Sequence, residues 1–505
     1  MTESSGKLRV AELLASLSLA TDLGTGQPLG HGLRSCLLAV ALAREMACGP
    51  DQIRSVHRVA LLRFLGCTAD AGETALGVGG DELSFNAAMA PVLHGDPRAM
   101  FATYVKTVGA GLPLSRRTRL RAGAIIHDVG DLAAHCEVAT MLARRLGMPR
   151  DVVHALGHAY ERWDGKGSPS RLEGEEVPLE IRISMVARDA DLLTMVGGDV
   201  TAHLQRRRGR AYDPDVIDAF NRLAPVHPEA DWAEVIEAEP GPVAYVDDLD
   251  GSLEVMADFV DLKSRWTRGH SPRVADLVGS AARAAGLRED EQTFLMRAAL
   301  VHDIGRVGVE NGVWDKPGAL STDEWEKVRL HPYLTDRILS RCRGLASLAD
   351  VASGHHERLD GSGYHRRLTA EHLSFGTHLV AAADVLTALT SARPHRDALS
   401  FEDARAVLDA EVASGRLDRS ATRWVQAAAG GDPTTPRPSH PGGLTDREVE
   451  VLRLLAKGHT NRRVGEVLFI SPKTVGRHVE NIYAKIGVST RAGAALYAME
   501  QRLLG

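Results

Sequence analysis

The sequence predicts an all-α protein of several domains, on the strength of three observations. The chain has 505 residues and only 5% aromatic side chains, and its abundance of Ala, Leu and Arg favours helices over sheets. Helix-start and helix-stop signals recur near its C-terminal end. A spacing of histidines and carboxylates occurs twice in the remainder, which indicates a duplicated helical unit. We therefore expect two helical units in tandem, followed by a small helix-turn-helix module.

Charge is unevenly distributed along the chain. The net charge is −6, but residues 444–505 contain ten Lys and Arg against six Asp and Glu. That segment is therefore +4, and everything before it is −10. A small basic module on an acidic body is typical of a protein that contacts nucleic acid.

Targeting signals and cysteine usage point to a cytoplasmic protein without membrane contact. No apolar run reaches the ~18 residues of a membrane span, and the N-terminus lacks the pattern of a signal sequence. The five cysteines are scattered and lack CxxC spacing, so we expect reduced residues rather than disulfides or a zinc site. They are Cys36, Cys48, Cys67, Cys136 and Cys342.

The C-terminal end begins with a linker and a helix. Residues 430–443 (GGDPTTPRPSHPGG) cannot form a packed element and predict a flexible connection. Thr445 and Glu448 then form the signature of a capping box, and Gly458 is placed to end the helix.

Two further helices complete a helix-turn-helix pattern. Asn461 is placed to cap one of them, and Ser471 the next, with Pro472 at its first position. The last helix has an apolar face at steps of four, three and four residues: Val475, Val479, Ile482 and Ile486. Its other face is polar and basic, which suits the DNA major groove, although a solvated helix surface is the alternative.

The string LTDREVEVLRLLAKGHTNRRVGEVLFISPKTVGRHVENIYAKIGVSTR resembles the LuxR-type (GerE) DNA-binding domain along nearly its whole length. The resemblance implies a four-helix domain over residues 444–505 that binds double-stranded DNA, and we expect a homodimer on two half-sites. It assigns base contacts to Lys473, Thr474, Arg477 and Asn481. It assigns phosphate contacts to Ser471, His478 and Lys485.

Two independent spacings are shared by the two halves of the remaining chain. A separation of 32 residues joins His31 to Arg63 and His270 to His302, and a separation of 26 joins His135 to Glu161 and His331 to Glu357. The first copy also carries about 43 extra residues, which we place as an insertion at about 70–125. The chain therefore contains a repeat whose two copies share one helical plan.

The second copy gathers the residue types that bind transition metals. They are His270, His302, Asp303, His331, His355, His356 and Asp384. Neutral imidazoles and carboxylates suit divalent Fe or Mn, and also Ni, Co or Zn. Two such ions about 3.5–4 Å apart can activate water and stabilise both oxygens of a phosphoryl displacement. One of these histidines alone would be a core or surface residue, but seven such ligands together predict a dinuclear site.

Four strings make residues 263–400 similar to the HD-GYP branch of the HD phosphohydrolases. They are HDIGR at 302–306, HP at 331–332, HHERLDGSGY at 355–364 and AADVLTALTSARPHR at 382–396. The resemblance implies an all-helical metal-dependent phosphodiesterase and, in the best-known form of the family, hydrolysis of cyclic di-GMP. It gives Asp303 the role of metal bridge and Arg306 that of a catalytic, phosphate-binding residue.

Three departures from the family pattern are visible. The GYP loop is Gly363, Tyr364 and His365, so its proline is missing. Arg306 replaces a lysine, and it can bind a phosphate but cannot give up a proton. Trp266 stands where members with a third metal carry glutamate, so we expect two ions.

The first copy lacks most of this chemistry. Arg63 and Phe64 replace the His-Asp pair, and Ala159 and Tyr160 replace the His-His pair. The ligand positions that are kept are His31, His135 and, after a one-residue slip in register, Asp189. We therefore expect a dimerisation or sensory domain. His127 and Asp128 imitate an HD motif, but they lie out of register with the repeat and are interpreted as a coincidence or a local helix-end pair.

The expected domains are a degenerate copy at 1–195, a helical connection at 196–262, an HD-GYP-like domain at 263–429, a linker at 430–443 and the LuxR-type domain at 444–505. Three functions stay open. The first is a transcription regulator that also hydrolyses cyclic di-GMP or a related phosphoester. The second is a non-catalytic regulator that senses a nucleotide or another ligand. The third is a regulator whose helical body serves only dimerisation.

Overall fold

The computed structural model describes residues 7–92, 97–110, 112–124, 132–223, 231–430 and 440–504. Every named element in these ranges is a helix, which confirms the predicted fold class. The chain divides into two compact units, Met1–Leu249 with Arg341–Gly344 and Asp250–Ser340 with Leu345–Gly505. Within the described ranges, no helix is both long enough and apolar enough to cross a membrane.

Helices α2, α3 and α10 pack together at the centre of the first unit. Its helices are α1 (Val10–Gly24), α2 (His31–Glu45), α3 (Pro50–Leu62), α4 (Ala71–Val78), α5 (Glu82–Met89), α6 (Pro97–Thr107), α7 (Leu114–Ala124), α8 (Leu132–Arg145), α9 (Arg150–Leu156), α10 (Leu179–Met195), α11 (Val200–Arg206), α12 (Pro214–Arg222) and α13 (Trp232–Glu237).

In the second unit, α15 packs against α16, α21 and α23. The helices that follow α13 are α14 (Leu249–Asp261), α15 (His270–Ala284), α16 (Glu289–Val301), α17 (Asn311–Trp314), α18 (Thr322–Arg329), α19 (His331–Leu339), α20 (Ala349–Ser353), α21 (Phe375–Leu389), α22 (Phe401–Ala413), α23 (Arg419–Ala429), α24 (Asp446–Ala456), α25 (Asn461–Leu468), α26 (Pro472–Ile486) and α27 (Arg491–Glu500). Short 3-10 helices span Gly174–Glu176, Ile304–Gly308, Ala346–Leu348, Ala370–His372 and Pro441–Gly443.

The two copies use the same helix pair to present their first two site positions. His31 begins α2 and Arg63 directly follows α3, just as His270 begins α15 and His302 directly follows α16. The two helices of each pair pack against one another. The register derived from the 32-residue spacing therefore agrees with the structure.

In both copies a buried carboxylate, which was not predicted from the sequence, holds the start of this first helix. Asp22 accepts hydrogen bonds from the backbone N–H groups of Gly30 and Gly32, at 2.8 and 3.0 Å. Asp261 accepts from the backbone N–H and the hydroxyl of Ser271, at 2.8 and 2.9 Å. Burial raises the pKa of each carboxyl to about 8. Each lies nine residues before the first histidine of its copy, which extends the repeat.

Helices α4 to α7 occupy the region predicted as an insertion in the first copy. They have a small core of their own, which includes Val78, Phe85 and Val108. His127 and Asp128 lie outside the described residues.

The C-terminal module is a four-helix arrangement, α24 to α27, with most of the predicted caps. The capping box of Thr445 and Glu448 is present, and Ser471 caps α26 by accepting from the N–H of Thr474. The prediction that Asn461 caps α25 was wrong. Thr460 is the cap, because it has the extended backbone of the flanking position and its hydroxyl accepts from a backbone N–H three residues later. Most of the predicted linker, residues 431–439, lies outside the described residues.

Candidate metal centre and DNA-reading helix

The seven side chains predicted as metal ligands come together in the second unit. His356 is half-buried and the other six are buried. His270 and His331 are the first residues of α15 and α19, and Asp384 lies in the middle of α21; the others lie just after α16 (His302 and Asp303) and just after α20 (His355 and His356). Helix ends supply most of the ligands, so the packing of these helices sets the geometry of the cluster.

The ligand atoms form two triads on either side of Asp303. One triad is His270, His302 and Asp384, and the other is His331, His355 and His356; within each, the ligand atoms lie within 4.8 Å of one another. Oδ2 of Asp303 lies 3.5 Å from Nε2 of His302, and Oδ1 lies 3.5 Å from Nε2 of His331. Each oxygen of one carboxylate thus faces a different triad, as a bridge between two ions requires.

Backbone carbonyls orient three of the imidazoles. In His302, His331 and His355, Nδ1 lies 2.6 Å from the carbonyl oxygen of the residue three positions earlier. Nδ1 therefore carries the ring proton and donates a hydrogen bond to the carbonyl oxygen. The lone pair of Nε2 is left facing the cluster.

The protonation states of the cluster also suit metal ions. Burial lowers the pKa of His270 to about 4 and that of His331 to about 3, so both rings are neutral near pH 7, as ligands must be. Nε2 of His302 is buried and has no hydrogen-bond partner in the described part of the chain. An unsatisfied buried nitrogen is costly unless a ligand occupies it, so the residues present fit a pair of cations.

Arg306 holds the carboxylate of Asp303 from the side of the cluster. Burial by itself raises the pKa of Asp303, but Arg306 and the surrounding histidines hold that pKa well below its ordinary value. Nη1 of Arg306 donates to Oδ2 of Asp303 at 2.9 Å, and the guanidinium lies 4.0 Å from the centre of the Trp314 ring. The indole N–H of Trp314 donates to the carbonyl of Arg306 at 3.3 Å, so the tryptophan positions the arginine.

A cavity of about 750 Å³ opens above this cluster. Its floor contains Asp303, His331, His356 and Asp384; its walls include the cationic groups of Arg306, Lys316, Arg393 and Arg396 and the aromatic rings of Trp314, Trp325 and Tyr364. Such a lining suits an anion that carries flat rings. Lys316, Trp325 and Arg393 were not predicted from the sequence, although Arg393 stands in the family string at 382–396.

The loop that departs from the family pattern borders the cavity. The ring of Tyr364 stacks on that of His356, with 4.8 Å between centroids. The carboxylate of Glu357 accepts the backbone N–H groups of Arg366 and Leu368, at 2.7 and 2.9 Å. Glu161 holds the corresponding loop of the first copy in the same way. The 26-residue spacing of the repeat therefore ends, in each copy, at a glutamate that anchors a loop.

Two guanidinium groups occupy the corresponding place in the first copy. Arg63 is buried, and it donates to the hydroxyl of Ser184 at 3.0 Å and to the carbonyl of Ala159 at 2.7 Å. The guanidinium carbons of Arg63 and Arg188 lie 5.9 and 5.5 Å from the centre of the Phe64 ring. Fixed cations thus stand where the second copy offers metal ligands.

The prediction that Asp189 is the retained ligand carboxylate of the first copy was wrong. His31 pairs with Asp191, at 2.6 Å, and not with Asp189, which is bound by a neighbouring arginine and a tyrosine hydroxyl. Arg188 is the tenth residue of α10, where Asp384 is the tenth of α21. Asp191 lies about one turn further along α10, so it shares that helix face and still reaches the histidine.

The other surviving histidine of the first copy is also held within the protein. Nε2 of His135 lies 2.6 Å from Asp70, and Nδ1 lies 3.0 Å from the hydroxyl of Tyr160. In the described part of the first unit, no three potential ligands lie close enough together to hold a metal ion.

Helix α26 presents the predicted DNA-contacting residues to solvent. His478 is half-buried, and the exposed residues are Ser471, Lys473, Thr474, Arg477, Asn481 and Lys485. Val475 and Ile482 are buried beneath them. Nζ of Lys485 already donates to Glu448 at 2.6 Å, so this lysine also ties α26 to α24. The DNA contacts themselves stay predictions.

The fold and the clustered histidines define a protein of the HD class that carries a helix-turn-helix module. The chain belongs to the HD domain family, whose model matches residues 101–216 and 254–421, more than half of the chain. The model of the luxR family of bacterial regulatory proteins matches residues 443–498.

Several curated phosphodiesterases are similar to the chain. The 3'3'-cGAMP-specific phosphodiesterase 3 of Vibrio cholerae is 29% identical over 428 residues, which cover 81% of this chain and 92% of the relative. The cyclic di-GMP phosphodiesterase of Thermotoga maritima is 35% identical over 175 residues, which cover 34% of this chain and 47% of the relative. The second match therefore spans about half of that relative's length.

A solved structure shares the fold. The crystal structure of a cyclic GMP-AMP-specific phosphodiesterase of V. cholerae (V-cGAP3) matches with a TM-score of 0.57 and 24% identity, over 85% of this chain and 99% of that one. At this identity the likeness establishes the fold alone.

Proposed function

We propose that the protein is a transcription regulator whose second unit hydrolyses a phosphodiester bond of a cyclic dinucleotide. The observation that carries the proposal is the position of Asp303, which offers one oxygen to each of two ligand triads at the floor of a cationic cavity. The names of the similar phosphodiesterases of V. cholerae and T. maritima support the substrate class.

Each part of the site has a role in this reaction. Divalent ions held by the two triads, Fe or Mn being favoured, would supply Lewis acidity that lowers the pKa of a water molecule and offsets the phosphate charge. Asp303 would hold both ions from between the triads, and Asp384 would complete the triad of His270 and His302. Arg306, Lys316 and Arg393 bind and orient the phosphate oxygens, and the tryptophans stack on the bases. Because Arg306 stays protonated, it stabilises charge and leaves proton transfer to water.

The C-terminal module supplies the output. A LuxR-type domain of about 60 residues reads one half-site, so firm binding requires a homodimer on two half-sites about one helical turn apart. The proposed partners are therefore double-stranded DNA and a second copy of the chain.

A non-catalytic sensor is the competing proposal, and the histidine at the third position of the GYP loop favours it. Purified protein loaded with Mn²⁺ or Fe²⁺ should convert a cyclic dinucleotide to its linear product, and an Asp303→Ala variant should not. Cyclic 3'3'-GMP-AMP, cyclic di-GMP and cyclic di-AMP form the substrate panel. Saturable binding of one of them without turnover would favour the sensor, and neither binding nor turnover would overturn both proposals.

A further inference from the structure

We infer that residues 265–269, the segment just before His270, form a docking surface for the chain's own DNA-binding module, and that filling the metal centre changes how firmly the module docks. The second part of this inference rests on the proposed metal site. The first part depends only on contacts within the second unit.

Two of the five residues in the segment contact the module, and a third lies beside it. Arg268 donates from Nη1 to the carbonyl of Ala456, the last residue of α24. The side chain of Arg265 lies against Gly458, where an added Cβ would come within 2.8 Å of its Cδ. Gly458 also has a φ of +78°, so glycine suits this position on both counts. A Cβ at Gly269 would lie 4.0 Å from the side chain of Leu504.

A charged contact beside the segment adds to this surface. Arg502 lies just after α27, and its Nη1 is 2.7 and 2.9 Å from the two carboxylate oxygens of Asp276 in α15. Its Nη2 donates to Glu254 in α14 at 3.0 Å. The contact joins the basic module to the acidic remainder of the chain. The Arg502 side chain is 54% exposed, so salt weakens these pairs and the docking is readily adjusted.

The same segment is tied to the metal centre on its other side. It leads directly into His270, whose backbone N–H donates to the carbonyl of Thr267 at 2.8 Å. The carbonyl of Trp266 accepts from Arg393, a cationic residue of the cavity, at 3.4 Å. A metal ion on His270 or a phosphate on Arg393 therefore acts on residues that adjoin the docking contacts.

These contacts imply a reciprocal effect between the two sites. If filling the centre shifts the docking equilibrium by some factor, docking shifts the affinity of the centre by the same factor. In the docked arrangement Lys473 and Arg477 remain exposed. Docking therefore acts by placing the module relative to its partner copy, and not by covering the DNA-reading face.

Zero-length carbodiimide cross-linking of the full-length R502K variant tests the surface. The variant keeps the charge and provides an amine that can be joined to Asp276 or Glu254. The pair Lys485 and Glu448, 2.6 Å apart inside the module, serves as the internal positive control. A mixture of isotopically labelled and unlabelled chains separates links within one chain from links between chains. Adding D276N and E254Q to R502K should abolish the link at position 502.

The expected result is a cross-link within one chain from position 502 to Asp276 or Glu254. At the salt concentration that halves its yield, Mn²⁺ in place of a chelator should change the docked-to-undocked ratio by roughly fivefold or more. Absence of this link while the control link forms would overturn the docking surface. An unchanged ratio in protein shown by metal analysis to hold Mn²⁺ would overturn the coupling alone. If neither Mn²⁺ nor Fe²⁺ is bound, the proposed function fails together with the coupling, and the cross-link still decides the docking surface.

Discussion

In the proposed dinuclear site both ions would depend on Asp303, because its two oxygens face different triads. We expect Asp303→Ala to reduce the bound metal from about two ions per chain to nearly none, since the repulsion between two cations would no longer be offset. Asp384→Ala should lose chiefly one ion, because Asp384 belongs to one triad. Metal analysis of the purified variants measures both.

A matched control for these changes is Asp360→Ala. Asp360 is an exposed carboxylate of the neighbouring loop, bonded to Ser362, and its removal should leave both ions in place. Retention of two ions by Asp303→Ala would contradict the bridging role.

Arg306 should affect turnover and leave metal content unchanged. Its guanidinium is held between Asp303 and the face of Trp314 and borders the cavity. Replacing it by Ala removes a preorganised cation from the phosphate, which typically lowers kcat by about 100- to 1000-fold. Steady-state hydrolysis measured beside metal analysis distinguishes this result from loss of the ions, and Arg306→Lys should retain most of the activity. An R306A variant with full activity would refute the assignment.

The DNA contacts are also decided residue by residue. Arg477→Ala and Lys473→Ala should each weaken operator binding by about 1–3 kcal/mol, the usual value of one good base contact. Arg419→Ala removes an exposed arginine outside the module and should leave binding unchanged. Fluorescence anisotropy with an operator fragment measures all three. If both module variants bound as the unaltered protein does, α26 would not be the reading helix.

Among single residues, those that belong to the repeat or to a family motif could be predicted from the sequence. The seven clustered ligands were predictable because each stands at a fixed distance from a partner in the other copy or in a family string. Lys316 and Trp325 were not, because single lysines and tryptophans carry no spacing signal. Asp191 was missed because a shift of one helical turn preserves a contact in space but not in register.

Among the elements, helix starts were predicted more reliably than the identity of each cap. The caps predicted at Ser471 and at Thr445 were confirmed. A serine or threonine just before an apolar stripe is a strong signal for a helix start. Thr460 and Asn461 are adjacent and both are good caps, so composition alone did not decide between them. The backbone conformation decides, and the sequence does not show it.

The linker over residues 430–443 leads to a prediction about how the body of the protein influences the DNA-binding module. A chain rich in Gly and Pro transmits force poorly, so we expect the body to act through module placement and effective concentration. Adding or removing three linker residues should therefore leave the regulatory response intact, as a promoter-reporter assay can measure. Abolition of the response by either change would indicate a stiff coupling instead.

Across the whole molecule, metal should be confined to the second copy. The ligand triads lie in the second unit, whereas the first copy has arginines in the matching places. Changing His127 and Asp128 together to Ala should therefore leave the metal content untouched, although these residues imitate the HD motif. Release of metal by this double change would contradict the register of the repeat. The domain boundaries derived from that register stay predictions.

The buried Arg63 of the first copy also determines how readily a metal site could be restored there by mutation. Mutating Arg63 back to histidine would leave the carbonyl of Ala159 and the hydroxyl of Ser184 without their donor, and Arg188 would still oppose an incoming cation. A working centre would also need an aspartate at position 64 and histidines at positions 159 and 160, so we expect Arg63→His alone to lower the stability without creating a metal site. The first copy therefore cannot be converted to a metal centre by one substitution, because several positions would have to change together.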